Sequence, residues 1–441
     1  MHEPVDMYKH LKGYKTLASE FCQTQQLLRI NLQIGSFQYA VRRRGITQLR
    51  DTSSMRLIPT RYTHKVSVLV NTVPHLSSID WYTYLARPRL PGPSTHALNS
   101  IADRSIFITG AGGSIGSLLS LRIARLKPRR LTLLDISEQA LYRLRISLEA
   151  ENLTDQVTLL LGSVADHLLL REAFSCSSPD ILFHAAAHKH LPLIEEYALA
   201  AIANNTLATN MLLCAAAEYK ISRTILLSTD KAVSPTSILG ATKSVAEMDT
   251  LCHRGIVVRL VNVLGTEGSV VPAFLKQIEN HQPITITDPK ATRYFLTSEE
   301  AVDLLLTASI ESAPATTLVP AIRSPQSILD MAHFLLTQLA SPCASTIRYV
   351  GLGVGEKRHE NLWSEDEEVL AESLHGSLQV VARQRPIYAL DRINTMLGPL
   401  RIAVASRNLP EAMDHMQSLV PGYTPSETIL RQIRIHAGVA S

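Results

Sequence analysis

The sequence predicts an α/β chain built on a doubly wound parallel sheet, and three observations predict it. Short, continuously apolar runs (SIFIT, LTLLD, VTLLL, ILFHAA, TILLS, IVVRL) recur from residue 105 onward, separated by amphipathic or polar segments of helical length. Runs with no polar alternation are strands buried on both faces, as in a parallel sheet covered by helices on each side. The first run leads directly into the glycine-rich turn GAGGSIG at 110–116, and the second ends on Asp135.

The turn assigns a task to each glycine. Gly110 permits the tight passage from strand to helix, Gly113 lets the backbone approach a pyrophosphate, and Gly116 lets the helix lie close to the sheet. The helix opening at Ser114 and Ile115 presents unpaired N–H groups and a partial positive charge to phosphates. Asp135 stands about twenty residues beyond the last glycine, where an acidic side chain accepts hydrogen bonds from ribose hydroxyls. A carboxylate there repels a 2′-phosphate, so the expected cofactor is NAD rather than NADP. Together these features predict a Rossmann-type dinucleotide site.

In such sheets ligands lie beyond the carboxyl ends of the strands, so the residues following each apolar run carry the chemistry. After the third run comes GSVAD, which places Asp166 near the cofactor. After the fourth, Ala185, Ala186 and Ala187 let a cofactor lie flat, while His188, Lys189 and His190 bring charge-capable groups to the cleft. The two histidines have no carboxylate or cysteine at ligand spacing, so no metal is expected. After the fifth, Ser228 and Thr229 supply hydroxyls and Asp230 and Lys231 an adjacent acid and amine. Lys243 supplies a cation for the nicotinamide ribose from the next helix.

Composition narrows the classes. The 441 residues, 46% hydrophobic and 19% charged, suffice for two or three domains with a large core. A net charge of +4 without a basic stripe interleaved with aromatics argues against nucleic acid and suits anionic small molecules. Five dispersed cysteines, odd in number and without a C-x-x-C pair, argue against a disulfide framework or zinc site and suit a reducing cytoplasm. No integral membrane segment and no signal-peptide core are expected, so the chain reads as cytoplasmic, and as a homo-oligomer.

The expected organisation is an N-terminal region (1–86), a linker (87–104) containing RPRLPGP, a dinucleotide-binding domain (105–262), a smaller substrate lobe (263–425) and a tail (426–441). The triplet Arg42, Arg43 and Arg44 reads as a solvated turn.

Longer strings, in order, narrow the match: GAGGSIG, FHAAAHKHLPLIEE, STDKAVSPTSILGATKSVAE, VVRLVNVLGTEGSVVPAFLKQI, PITITDPKATRYFLT and GLGVGEKRHENL. Over roughly residues 76–425 the chain resembles the CapD-type polysaccharide biosynthesis proteins of the extended short-chain dehydrogenase/reductase group. The resemblance implies a nucleotide-sugar 4,6-dehydratase, typically acting on UDP-N-acetylglucosamine. NAD would take hydride from C4, water would leave across C5 and C6, and hydride would return to C6. On the same basis Asp230 protonates the leaving C6 hydroxyl, Lys231 removes the C5 proton, and Lys243 anchors the nicotinamide ribose. Thr229 stands beside them. Lys189, Asn262, Arg293 and Glu356 fall at substrate-contacting positions, and the planar guanidinium of Arg293 suits a diphosphate.

The chain departs from the family pattern at several positions. Leu239 occupies the place, one turn before Lys243, where most relatives carry tyrosine. Val261 replaces a glycine, Glu267 an arginine, Gly353-Val354 an Arg-Pro and Ser163 an aspartate. Two other functions fit the motifs: an epimerase of the same superfamily, for which simple C4 inversion needs no proton transfer at C5, and a non-catalytic NAD or nucleotide-sugar-binding protein.

Overall fold

A computed structural model describes residues 30–34, 37–42, 45–48, 79–339, 346–384 and 387–436. The chain divides into two compact units, Met1–Asn71 and Thr72–Ser441. In the first, strands Ile30–Ile34, Phe37–Arg42 and Gly45–Gln48 pair antiparallel in chain order. Arg43, Arg44, Cys22, Cys343 and the apolar run at 66–70 lie outside the described residues.

The second unit is organised by a nine-stranded sheet. Its strands are β1 (Ser105–Thr109), β2 (Arg130–Asp135), β3 (Val157–Leu161), β4 (Ile181–His184), β5 (Arg223–Thr229), β6 (Ile256–Leu260), β7 (Thr316–Pro320), β8 (Glu367–Leu374) and β9 (Leu378–Arg383). Their spatial order is β8-β9-β7-β6-β5-β4-β1-β2-β3. β1 to β7 run parallel, and β9 and β8 add an antiparallel edge. Every residue of β1 and β6 is buried, as continuous apolar runs require. The order reverses between β1 and β4, which opens a crevice at the carboxyl ends of those strands.

Helices α1 (Ser114–Arg125), α2 (Glu138–Ala150), α3 (His167–Ser177), α4 (Ala198–Glu218), α5 (Ile238–Cys252), α6 (Val270–Glu279), α7 (Ser298–Glu311) and α8 (Ile328–Gln338) cover the sheet and build the lobe beside it. By length and composition α4 could cross a membrane, with mean hydropathy 1.3, but 61% of its apolar window is buried inside the protein. A π-helical turn, Ile202–Leu207, interrupts it.

Two boundaries differ from expectation. Residues 87–104 are packed rather than a free connector: Thr95–Ile101 is a helix, and Arg87 forks onto the buried Glu300 at 2.6 and 2.9 Å. Tyr84 and Leu85 join the same apolar cluster as Phe274, Phe295, Met331 and Leu335. The C-terminal lobe is also not separate, because β7, β9 and β8 extend the one sheet. Proline and glycine in RPRLPGP mark the turns that bring this segment onto α7, a packing that composition alone does not reveal.

Beyond the sheet, α9 (Leu390–Ala405) and α10 (Leu409–Leu419) lay Leu397, Leu400, Met413 and Met416 over Ile238, Leu239 and Val245 of α5. The tail residues continue as α11 (Glu427–His436), with Ile429 fully buried and the Ser426 hydroxyl donating to Glu195 at 2.7 Å.

Candidate active site

The glycine turn is shaped by sterics. Gly110 sits at φ +66, and a Cβ there would come within 2.5 Å of the Ala186 nitrogen. At Gly116 a Cβ would collide with the Gly110 carbonyl, which is why α1 can start hard against β1. Gly113 is different. A Cβ there would meet only the Gly110 oxygen, at 3.3 Å, so that side faces open space. Gly113 is the N-cap of α1 and no side chain caps the helix, leaving its first N–H groups for a ligand.

Asp135, at the end of β2, is 9% exposed. Its Oδ2 accepts from the Gly112 N–H at 2.8 Å and its Oδ1 from the Ser137 N–H at 2.9 Å. The carboxylate thus also holds the glycine turn in shape, and each oxygen keeps a lone pair for a ribose hydroxyl. Asp166 does not join this site. It is exposed and caps α3, accepting from the N–H groups of Leu168 and Leu169, so the cofactor role expected of it is corrected. Asp is a favoured N-cap residue, and that explains its place.

Three connected hollows run along the carboxyl edge of the sheet. One, of about 300 Å³, is lined by Gly110, Gly113, Asp135, Ser163 and Ala185 to His188. A second, of about 600 Å³, is lined by Gly113, Ser114, Ile115, Gly116, Ala185, Ala187 and Lys189. The third, of about 480 Å³, carries Thr229, Lys231, Leu239, Lys243, Asn262, Arg293 and Glu356. Ala185, Ala187 and His188 line all three. A further hollow of about 240 Å³, lined by Arg259, Glu367 and Arg383, lies outside the groove. The first two hollows, with the uncapped α1 terminus and Asp135, fit an extended dinucleotide.

At the end of β5, the Asp230 side chain is fully buried. Its Oδ1 accepts from Thr229 Oγ1 at 2.9 Å and Lys231 Nζ at 3.0 Å, while Oδ2 is buried with no hydrogen-bond partner. Lys231 Nζ also donates to Asn262 Oδ1 at 3.2 Å and lies 3.7 Å from Glu360. Burial lowers the pKa of this ammonium, but Asp230 and Glu360 outweigh burial and hold it above the ordinary lysine value. Lys231 is therefore charged at rest. Lys243, one turn past Leu239 on α5, donates to the Leu227 carbonyl at 2.8 Å. Burial pushes its pKa down to about 8, partly opposed by Glu247.

The other expected residues are brought together with altered roles. Lys189 reaches the cavity and donates to the Glu267 carbonyl at 2.9 Å, and burial lowers its pKa. Arg293 is nearly buried, and its Nη groups donate to the carbonyls of Thr292, Lys357 and Arg358 and to Glu356 Oε1 at 3.0 Å. Both Nη groups are already committed to these acceptors, which fixes Arg293 in the cavity wall. Glu356 is fixed between Arg293, Thr287 and the Gly353 N–H.

Sequence reasoning missed three residues. Asn205, fully buried in the π turn of α4, clasps the backbone of His188 through both N–H and C=O, at 2.8 and 3.0 Å. Glu360 is a buried carboxylate between Lys231 and Lys357, which lies 3.4 Å away. Glu247 accepts from Ser228 Oγ at 2.6 Å and from Arg259 and Arg383, tying β5, α5, β6 and β9 together. Glu360 and Glu247 lie in strings already singled out, GLGVGEKRHENL and STDKAVSPTSILGATKSVAE, whereas Asn205 lies in none. Among the described residues no group of three or more histidine, cysteine or acidic side chains gathers as for a metal ion.

The fold and the groove define a dinucleotide-binding protein of the extended short-chain dehydrogenase/reductase class. Residues 106–382, well over half of the chain, match the family model described as polysaccharide biosynthesis protein, and the chain belongs to that family. It is 35% identical over 277 residues to capsular polysaccharide biosynthesis protein CapD of Staphylococcus aureus, covering 60% of this chain and 46% of that protein. It is 33% identical to the probable polysaccharide biosynthesis protein EpsC of Bacillus subtilis, covering 64% of this chain and 48% of the relative. The chain thus spans about half the length of these two relatives. It is also 30% identical to a UDP-glucose 4-epimerase of Rickettsia akari, covering 63% of this chain and 83% of that one. Among solved structures, Pen from Bacillus thuringiensis superposes with a TM-score of 0.60 at 23% identity, covering 67% of this chain and 98% of that chain. The dTDP-glucose 4,6-dehydratase DesIV of Streptomyces venezuelae, solved with NAD bound, gives 0.53 at 17% identity, covering 58% and 87%. At these identities the two structures establish the fold.

Proposed function

We propose that the chain is an NAD-dependent nucleotide-sugar 4,6-dehydratase, with UDP-N-acetylglucosamine as substrate. The observation that carries this reading is the Asp230–Lys231 pair, 3.0 Å apart, beside Lys243 at the sheet's carboxyl edge. Bound NAD would supply a hydride acceptor and donor. Everything else falls to the chain. Lys243 holds the nicotinamide ribose, and the N-terminus of α1 with Asp135 holds the pyrophosphate and the adenine ribose. The cations Lys189, Lys231 and Arg293 suit an anionic substrate.

The resting pair is an ammonium and a carboxylate, the reverse of what elimination needs. Moving one proton from Lys231 Nζ to Asp230 Oδ1 creates both required forms at once: a neutral amine to take the C5 proton and a carboxylic acid to protonate the departing C6 hydroxyl. A bound sugar that displaces water favours this neutral pair, because separated charge costs more in a dry, low-dielectric site. Leu239 offers no hydroxyl one turn from Lys243 and Asp230 carries the proton from Lys231, so the C4 hydroxyl proton passes to a water.

The likeness to both dehydratases and UDP-glucose 4-epimerases makes epimerisation at C4 the second reading. Incubation with UDP-N-acetylglucosamine and mass measurement of the product separates them. Loss of one water supports the dehydratase, a C4 epimer of unchanged mass supports the epimerase, and no conversion of any nucleotide-hexose supports a binding protein.

A further inference from the structure

Away from the groove, α4 and the end of α5 bring together a cysteine, a histidine and an aspartate that the proposed chemistry does not use. Cys214 is exposed on α4, with Sγ 3.8 Å from His253 Nε2. His253 is the C-cap of α5, and its Nδ1 lies 3.0 Å from the Asp249 carbonyl and 3.2 Å from Asp249 Oδ1. Both neighbours of Nδ1 are acceptors, so Nδ1 carries a proton. The Asp249 carboxylate is 1% exposed and neither oxygen has a hydrogen-bond donor. A buried carboxylate without donors demands a nearby cation. The imidazole is the ion-pair partner it has among the described residues, and the carboxyl end of a helix also favours a cation. The His253 pKa agrees: burial lowers it, yet the contacts with Asp249 and Cys214 raise it to about 10.

We propose that Cys214 is a nucleophilic thiol activated by His253 and Asp249, a site of covalent modification by soft electrophiles and low-molecular-weight disulfides. The imidazolium Nε2–H faces the sulfur, where it is placed to stabilise negative charge that develops there during attack. With a disulfide, the Cys214 sulfur attacks one sulfur of the S–S bond, that bond breaks, a mixed disulfide forms, and the other sulfur leaves as a thiolate. With an alkyl halide, a C–S bond forms and halide leaves. No further oxidant is needed in either case. Cys252, next to His253, is inert by contrast, since burial and Asp249 push its pKa up to about 11.

Exposed Cys176 provides an internal reference in the same molecule. A cation within reach of an attacking sulfur raises its rate by on the order of tenfold over an unassisted thiol at pH 7. The native full-length chain is treated with iodoacetamide at pH 7, and each cysteine is followed by peptide mass spectrometry. The expected result is that Cys214 reacts about ten times faster than Cys176. In His253→Gln, checked for folding by circular dichroism, the advantage disappears. Rates for Cys214 and Cys176 within twofold of each other in the wild type would overturn the proposal, and so would an advantage that survives in folded His253→Gln. If that variant fails to fold, the wild-type ratio alone decides.

Discussion

Replacing Asp135 by alanine perturbs two things the structure assigns to one carboxylate. The first is the glycine turn, since the two oxygens accept the Gly112 and Ser137 N–H groups at 2.8 and 2.9 Å. A hydrogen bond to a charged group contributes ~1.5–3 kcal/mol net. Ser137 is exposed and Gly112 half-buried, so water replaces part of the loss and the fold weakens by about 2–3 kcal/mol in total. The second is the adenine ribose, where losing charged hydrogen bonds costs a further ~1–3 kcal/mol, a rise in the NAD dissociation constant of roughly 5- to 150-fold. Urea denaturation without NAD reads the first effect and calorimetric titration with NAD the second. Asp135→Asn keeps one acceptor and removes the charge that repels a 2′-phosphate, so it shifts preference toward NADP. The reasoning fails if Asp135→Ala binds NAD within twofold of the wild type, or if the wild type binds NADP more tightly than NAD.

Three other perturbations are specified by the same geometry. Lys243→Ala lowers turnover by about a hundredfold or more with the melting profile intact, as for loss of a positioned charge; in the free protein its ammonium is present below a pH of about 8 and lost above it. Glu360→Gln removes one of the two carboxylates that hold the Lys231 pKa up, so the limb of the turnover–pH profile on which Lys231 becomes neutral moves to lower pH, by about one unit; a limb that stays in place removes Glu360 from this role. Glu247→Ala leaves the buried Arg259 with Glu367 as its remaining carboxylate and strands the Ser228 hydroxyl, and denaturant titration shows a loss of about 3–5 kcal/mol.

Periodicity and glycine spacing made the sheet and the cofactor groove legible, because both are dictated by short-range physics: apolar runs must be buried on both faces, and Gly110 and Gly116 are needed where a Cβ has no room. What lay outside that reach depended on distant partners. Nothing near Arg87 says that it will fork onto Glu300, 213 residues away, so a packed segment read as a linker. Asp166 resembled a cofactor contact because a cap and a ligand call for the same side chain at the end of a strand–helix turn. Arg293 was found as a cavity residue, but its three carbonyl partners belong to its own neighbour Thr292 and to the 357–358 segment, which only the folded chain brings alongside. The segment after the fifth apolar run singled out the Asp230–Lys231 pair and the resemblance implied its roles, whereas the protonation it holds at rest required the buried Glu360 to be seen beside it.

The central claim is that Asp230 and Lys231 together remove water across C5 and C6 of a nucleotide-hexose. Its most direct test is the mass spectrum of the product formed from UDP-N-acetylglucosamine in deuterated water, for the wild type and for Asp230→Asn. The wild type should yield a product that has lost one water and carries one solvent deuterium at C5, and Asp230→Asn should yield none. A wild-type product of unchanged mass without deuterium at C5, or a variant that still loses water at the wild-type rate, would contradict the account.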